Sequence, residues 1–394
     1  MNTTMKALAL TADWRPRPDY QATPGEIETR RAVNAGMLWA EPRLELGEHP
    51  LPRPADDEVL VKVRACGICG SDTHCFQQDE QGYIRFSGPA KLPVIIGHEF
   101  AGEVVATGRQ VKTLKTGDAV AAESVLWCGV CPACRSGHFN QCRQIEMLGL
   151  SSPGAFAEYV AVREKYCWKL DPLRQVCQSD DEVYELGALI EPIGCAYNGL
   201  FVAGGGFKPG AYVAIYGAGP IGLGAVLMAR AAGAAKILVF DPSEPRNRLA
   251  QALGADYAAS PGALARQGSS PSAVVAEMTG GQGADMQVEA AGAASATLPE
   301  IVKSFAPNGT LVFLGRHDST ALVEFDTLVS QANRMVGARG HAGYGTYGNI
   351  IRLIAAGRIP ARQMITSRFP FAQVMEAFVR AGARDEGKIM VRFP

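Results

Sequence analysis

The chain has 394 residues, 47% of them hydrophobic and 20% charged, a globular balance with room for two or three domains at ~150 residues each. Its 38 basic and 39 acidic side chains nearly cancel, leaving a formal charge of −1, which argues against a nucleic-acid or anionic-membrane binder. The opening M-N-T-T-M-K-A-L-A-L runs straight into Asp13, Arg15 and Arg17, so a cytoplasmic protein without a secretory leader is expected.

In chain order, Arg15 to Gly36 is rich in charge, proline and glycine and reads as an insertion or surface arm. The runs E-V-L-V-K-V-R-A, P-V-I-I-G-H-E-F and G-E-V-V-A-T-G predict short strands bounded by turn residues. Pro209 to Ala229 carries no charge and is long enough for a membrane span. Its glycines and prolines favour a buried strand, a tight turn and a helix instead.

From about Gly204, strands and helices alternate. Strands are expected at Tyr212–Tyr216, Lys236–Phe240, Met286–Glu289 and Thr310–Leu314, and helices at Ile221–Ala232, Asn247–Leu253 and Ala294–Phe305. That alternation is the signature of a parallel sheet with helices on both faces. The tail predicts a helix near Tyr347–Ala356, a strand near Met364–Phe369, a helix near Ala372–Ala381 and a last strand Lys388–Phe393.

V-A-I-Y-G-A-G-P-I-G puts Gly217, Gly219 and Gly222 after a strand and at a helix start, with Pro220 and Ile221 opening the helix. The first glycine allows the tight turn, the second lets backbone approach a pyrophosphate, and the third lets helix pack on strand. Phosphate charge then meets the free N–H groups of the helix N-terminus. Asp241 ends the next strand, where an acid binds the adenosine ribose hydroxyls and repels a 2′-phosphate, so NAD is expected over NADP. Arg246 and Arg248 stand close enough in sequence to soften that preference.

Ten cysteines in a chain without a leader point to metal rather than disulfides. Cys128, Cys131, Cys134 and Cys142 lie in W-C-G-V-C-P-A-C-R-S-G-H-F-N-Q-C. Four thiols so spaced can close a tetrahedron around a structural zinc, with an iron–sulfur centre or two disulfides as rivals. Cys69, His98, Glu99 and Glu191 form a second, scattered set, with Asp72 as outer partner, in C-G-I-C-G-S-D-T-H and G-H-E-F-A-G. Cys66, Cys75, Cys167 and Cys177 read as ordinary thiols.

With C-G-S-D-T-H, G-H-E-F-A-G, the four-cysteine lobe, E-P-I-G-C and G-A-G-P-I-G in this order, nearly the whole chain resembles the zinc-containing medium-chain dehydrogenase/reductase family. The resemblance implies an α/β protein, with a GroES-like β-rich catalytic domain at 1–200 and 341–394 and a Rossmann doubly wound parallel-sheet domain at 201–340. The structural zinc lobe would occupy about 125–145. It further implies two zinc ions per chain, one catalytic and one structural, with NAD as hydride carrier and a dimeric or tetrameric homo-oligomer.

Carried over position by position, Cys69 and His98 match catalytic zinc ligands, Glu99 the adjacent acid, Asp72 the acid orienting the histidine, and Ser71 with His74 the proton relay. Both Glu191 and Cys195 are offered as the third ligand. Spacing to Gly217 and the E-P pair favour Glu191, leaving Cys195 to line the nicotinamide pocket. The arm, D-E-Q-G-Y-I, E-P-I-G-C-A-Y-N and G-H-A-G-Y-G-T-Y are similar to the inositol- and inosose-type branch, with Tyr83, Tyr197, Asn198 and His341 as expected substrate contacts. The expected reaction moves a hydride between a secondary alcohol of a polyol or cyclitol and NAD, in reverse reducing a ketone. Sorbitol-, threonine- or simple alcohol-type enzymes are alternatives; a catalytically silent dinucleotide-binding zinc protein is the alternative of another class.

Overall fold

The structure is a computed structural model describing residues 3–316 and 320–394. The chain divides into two compact units, one made of Met1–Glu191, Ser367–Gly382 and Ile389–Pro394, the other of Pro192–Thr366 and Ala383–Lys388. The chain therefore passes between the units at 191/192, 366/367, 382/383 and 388/389, whereas the sequence reading placed the passages at 200/201 and 340/341. The stretch 341–366 goes with the second unit because its helix Thr346–Ala355 turns inward there: Ile350, Ile351 and Ile354 are buried, and Asn349 Nδ2 donates to the Tyr197 hydroxyl at 2.7 Å.

The first unit is β-rich. Its largest sheet orders the strands Cys167–Lys169, Ala119–Ala122, Glu99–Thr107, Glu58–Gly67, Lys388–Arg392 and Ile365–Pro370, with Tyr159–Arg163 also pairing on Glu58–Gly67. Val59, Val61 and Val63 alternate onto one buried face, as a period of two requires. They join a core that includes Phe100, Phe156 and Phe378. Phe156 and Phe378 meet edge to face at 5.4 Å, so Phe156→Ala would cost about 3–5 kcal/mol.

Beside this sheet, Thr4–Trp14 pairs antiparallel with Trp39–Pro50, and the segment read as a surface arm connects them. It is packed rather than free: Ala32 and Ala35 are fully buried, and a Thr23/Glu26 capping box starts its helix Pro24–Thr29.

In the second unit the strands are β1 Tyr212–Tyr216, β2 Lys236–Phe240, β3 Tyr257–Ala259, β4 Ala284–Glu289, β5 Phe305–Phe313 and β6 Arg334–Gly337. All pairs are parallel and the order is β3-β2-β1-β4-β5-β6, the doubly wound arrangement. Val213, Ala214 and Ile215 are all fully buried, as in a strand covered on both faces. The uncharged stretch Pro209–Ala229 is thus strand β1, a turn and most of helix Pro220–Ala231. The helical run Asp180–Ala203 is long and apolar enough to cross a bilayer, yet 72% of its apolar window is buried in protein, as a core helix would be.

Candidate active site and metal centres

The scattered set is assembled by a helix start, a glycine turn and a strand of the first unit. Cys69 caps helix α1, Gly70–Phe76, and its N–H donates to Asp72 Oδ2 at 3.0 Å. The run P-V-I-I-G-H-E-F is one strand in sequence but two in space, Val94–Ile95 and Glu99–Thr107, broken at Gly97 with φ +94°. A Cβ there would lie 2.5 Å from the Phe156 ring, so glycine is required both for the turn and for the close approach. The turn delivers His98 and Glu99 beside Cys69, and one ligand atom from each lies within 4.8 Å of the others.

The surroundings suit a cation. Asp72 and Glu99 are buried at 0% and 1% exposure. Asp72 Oδ1 stands 3.4 Å from His98 Nδ1, and neither atom has another hydrogen-bond partner. That pairing leaves His98 Nε2 as the outward ligand atom, with Ser71 Oγ 3.3 Å away. Burial alone would lower the His98 pKa, but the charges of Asp72 and Cys69 outweigh it and raise it well above the ordinary value. Sulfur, imidazole and carboxylate gathered around a demand for positive charge fit zinc.

Glu191 is placed outside this three-residue set. It rides on helix α2, Asp180–Tyr197, where its Oε1 accepts from the buried Ser124 hydroxyl at 2.8 Å. Cys195 lies one turn further, in the second unit. Ser124 escapes a motif search, yet A-V-A-A-E-S-V-L-W carries a signal: two adjacent polar residues inside an apolar run must find partners. Glu123 finds both indoles, Trp127 Nε1 at 3.3 Å and Trp168 Nε1 at 3.1 Å.

The four-cysteine lobe needs no distant residue. Cys128 and Cys134 sulfurs are 4.0 Å apart and those of Cys131 and Cys142 are 3.9 Å apart, close to the edge of ~3.8 Å that a tetrahedron with Zn–S bonds of ~2.3 Å requires. All four are free thiols. The N–H groups of Val130 and Cys131 point at Cys128 Sγ, and that of Cys128 at Cys142 Sγ. Backbone donors from Arg143 and Cys134 pull the Cys131 thiol down to about 6, whereas burial pushes Cys134 up to about 12. The lobe fits a closed structural zinc. Its base is pinned by Trp127, 4.4 Å from the Phe139 ring, and by the Tyr166 hydroxyl donating to the Trp127 carbonyl at 2.6 Å.

In the second unit, Gly217 turns with φ +98° and Gly219 caps helix α3, Pro220–Ala231. A Cβ on Gly222 would sit 1.8 Å from the Gly217 carbonyl oxygen, so helix and turn touch only through glycine. At Gly219 the space is open up to the Arg246 guanidinium at 3.8 Å. This is a cradle that a side chain would fill, and it fits a pyrophosphate.

Asp241 is buried beside it. Its Oδ2 accepts from Ala218 N at 2.7 Å and its Oδ1 from Ser243 N at 2.8 Å, leaving lone pairs for further donors. Arg246 Nε is held by the Glu386 carbonyl at 2.8 Å, and burial lowers its pKa despite the opposing charge of Asp241. Arg248 points elsewhere, 3.6 Å from Glu244 on the exposed side of its helix.

The four expected substrate contacts all carry structural duties. Tyr83 is 5% exposed, has Arg17 and Arg15 over its ring at 4.1 and 4.9 Å, and donates its hydroxyl to Pro16 O at 3.4 Å. Arg17 also bonds Asp79, which clamps the turn by accepting from Gln81 N and Tyr83 N. Asn198 Nδ2 donates to the carbonyls of Gly340 at 2.9 Å and Arg339 at 3.3 Å. His341 is fully buried 5.2 Å from the Tyr347 ring, and Tyr197 packs on Phe201.

Comparison with known proteins agrees with this architecture. Residues 55–172 match the alcohol dehydrogenase GroES-like domain family, and residues 220–356 match the zinc-binding dehydrogenase family. The chain is 39% identical to scyllo-inosose 3-dehydrogenase from Thermotoga maritima, over 90% of this chain and 91% of that one. It is 37% identical to L-threonine 3-dehydrogenase from Symbiobacterium thermophilum, over 92% and 98%. A solved structure of an alcohol dehydrogenase candidate from Thermotoga maritima superposes with TM-score 0.92 at 36% identity, covering 98% of this chain and all of that one. A zinc-binding dehydrogenase candidate from Sinorhizobium meliloti, bound to NADP, does so with TM-score 0.79 at 28% identity over 99% and 100%. The chain belongs to the zinc-binding alcohol dehydrogenase family, oxidoreductases that act on CH–OH groups.

Proposed function

We propose that this chain is an NAD-linked polyol or cyclitol dehydrogenase that interconverts a ring or chain secondary alcohol and its ketone. The observation carrying this reading is the Cys69–His98–Glu99 cluster, its histidine and glutamate buried, with Glu191, bonded to Ser124, as a further carboxylate of the same unit. Cys69, His98 and one of the two glutamates would hold the catalytic zinc, and Cys128, Cys131, Cys134 and Cys142 a structural one. Zinc, when bound, supplies Lewis acidity that polarises an alcohol or carbonyl oxygen. The nicotinamide supplies or accepts the hydride. Carboxylate ligands make the site harder than one built from cysteine, which suits a substrate bearing neighbouring hydroxyls.

The chain's own residues handle position and protons. Asp72 fixes the His98 ring through Nδ1. Ser71 Oγ, beside Nε2, takes the proton released from the alcohol. His74, one turn along α1 from Ser71 and so on the same face, passes it outward, a step that an imidazole is suited to carry. Gly217, Gly219, Pro220, Ile221 and Gly222 receive the pyrophosphate, and Asp241 the adenosine ribose, favouring NAD. Arg246 beside Gly219 offers its guanidinium to phosphate charge in the same corner, which narrows the margin against NADP. Cys195 would line the nicotinamide pocket. Ten free thiols support a reducing, cytoplasmic setting, and a homo-oligomer is the expected assembly.

Similarity to a threonine dehydrogenase at nearly the same identity supports a second reading, an amino-alcohol substrate on the same metal chemistry. The test is the rate of nicotinamide reduction with inositols and inososes, linear polyols, threonine and simple alcohols, each with NAD and NADP. NAD-dependent turnover confined to cyclitols and polyols is expected. Turnover on threonine alone would replace the substrate assignment, and equal rates with NADP would remove the cofactor preference.

A further inference from the structure

Glu289 is the last residue of β4, and β4 stands beside β1 where the strand order reverses. Loops leaving neighbouring strands at such a point diverge and open the crevice that ligands occupy in open parallel sheets. A buried acid at this place invites the reading of a ligand contact, but the side chain does something else. Only 1% exposed, it turns back on its own loop: Oε1 accepts from the N–H groups of Ala291 and Ala293, and Oε2 from that of Gly292, each at 3.2 Å. Its main-chain carbonyl meanwhile accepts from Leu314 N at 2.8 Å and Gly315 N at 2.9 Å.

The turn so gathered is packed against both neighbouring loops without slack. A Cβ on Gly217, the first fingerprint glycine, would stand 2.7 Å from Ala291 N. A Cβ on Gly315, after β5, would stand 2.2 Å from Gly292 N and 2.5 Å from Glu289 Oε2. Three loop segments at the carboxyl edge of the sheet are therefore held in register around one carboxylate. A cavity of about 310 Å³ elsewhere is lined by Trp127 and Tyr166, whereas one of about 300 Å³ opens against Gly292, Ala294 and Gly315. The second is bounded by the very turn that Glu289 organises.

We propose that Glu289 is a positioning residue for the dinucleotide. Its carboxylate fixes the turn 290–293 against which Gly217 seats, and so sets the backbone surface that receives the cofactor. The proposal rests on the dinucleotide-dependent reading above. The N–H groups of Ala291, Gly292 and Ala293 that it meets are all donors, which a carboxylate satisfies; an amide would set its own N–H groups against one of them.

The experiment is direct titration of purified, zinc-loaded protein with NAD and NADP, by calorimetry, for wild type, Glu289→Gln, Glu289→Asp and Gly315→Ala, with melting temperatures alongside. Gly315→Ala keeps the carboxylate as a group but crowds both it and the same turn from the opposite loop. Glu289→Gln is expected to weaken dinucleotide binding about tenfold and to raise its KM by a similar factor. The kcat at saturating cofactor should stay within about twofold of wild type. Gly315→Ala should reproduce the loss, and Glu289→Asp should fall between.

Folded variants that melt lower yet bind dinucleotide as wild type does would reduce Glu289 to a fold-stabilising residue and overturn the proposal. Should Glu289→Gln fail to fold, unchanged binding in Gly315→Ala overturns it equally. Wild-type protein that binds neither dinucleotide would instead fell the cofactor reading itself, and this proposal with it.

Discussion

The two metal-type sites of the first unit are built in opposite ways. The lobe draws Cys128, Cys131, Cys134 and Cys142 from fifteen consecutive positions, and its thiols are aimed by N–H groups of the same segment. The other cluster draws Cys69 from a helix start and His98 and Glu99 from behind a glycine turn, while Glu191 accepts from Ser124. The lobe can preorganise locally, so metal binding can drive its folding. The cluster exists only once the sheet has folded, and its chemistry depends on residues that orient ligands rather than on the ligands alone.

The largest effect should come from removing a ligand of the cluster. Cys69→Ala is expected to abolish turnover, by about a thousandfold or more, and to remove one zinc per chain while the lobe keeps its own. Metal analysis and initial rates check both. Loss of both ions would show that the two sites are not independent. Cys131→Ala tests the other side. Several kcal/mol of the ~10–16 that structural zinc supplies in small domains would be lost, lowering the melting temperature on the order of 10 °C. A melting curve matching wild type would mean that the lobe contributes no folding energy.

Asp72→Asn probes the step between these extremes. It keeps shape but removes the charge facing His98 Nδ1, and should weaken the catalytic zinc about 10- to 100-fold in chelator competition. Affinity for the lobe zinc should not change. Unaltered affinity at the cluster would mean that His98 is oriented by packing alone.

The same contrast explains what could be read from sequence. The lobe, the fingerprint and the strand–helix alternation of the second unit are local patterns, and β1 and β2 occupy the expected residues, Tyr212–Tyr216 and Lys236–Phe240. β5 was expected from Thr310 but begins at Phe305, because Asn308 and Gly309 resemble a turn even though Phe305 pairs with Ala284. The arm was harder to read. Its charges suggest solvent, but Arg17 spends its charge on Asp79 and the face of Tyr83, so polar composition conceals a packed segment. The sequence marks Ser124 only as a polar residue in need of a partner, since Glu191 lies 67 positions away, and it gives no sign of Glu289, which gathers backbone N–H groups of its own turn. Tyr83 and Asn198, expected as substrate contacts from the resemblance, each give a donor to a main-chain carbonyl, a bond the sequence does not show.

The smallest expected effect concerns how α2 is anchored. Glu185, 2% exposed, accepts from Arg368 Nε at 2.8 Å and Nη2 at 3.0 Å, and from Arg392 Nε at 2.6 Å. Burial pushes its carboxyl up, but hydrogen bonds and charge from the two arginines outweigh that and hold it below 4.5. A depressed carboxylate stabilises the fold above its unfolded pKa, and that stability is lost as pH falls through the folded value. The melting-temperature gap between wild type and Glu185→Gln should therefore be full near neutrality and close in acid below ~4.5. Glu191 lies ~9 Å further along the same helix, so a loosened anchor should also lower affinity for the catalytic zinc by about twofold, at 0.4 kcal/mol, without touching the lobe. A gap that persists in acid would assign the loss to packing of the arginines. A lobe that loosens as well would tie together the two sites whose independence the cysteine variants test.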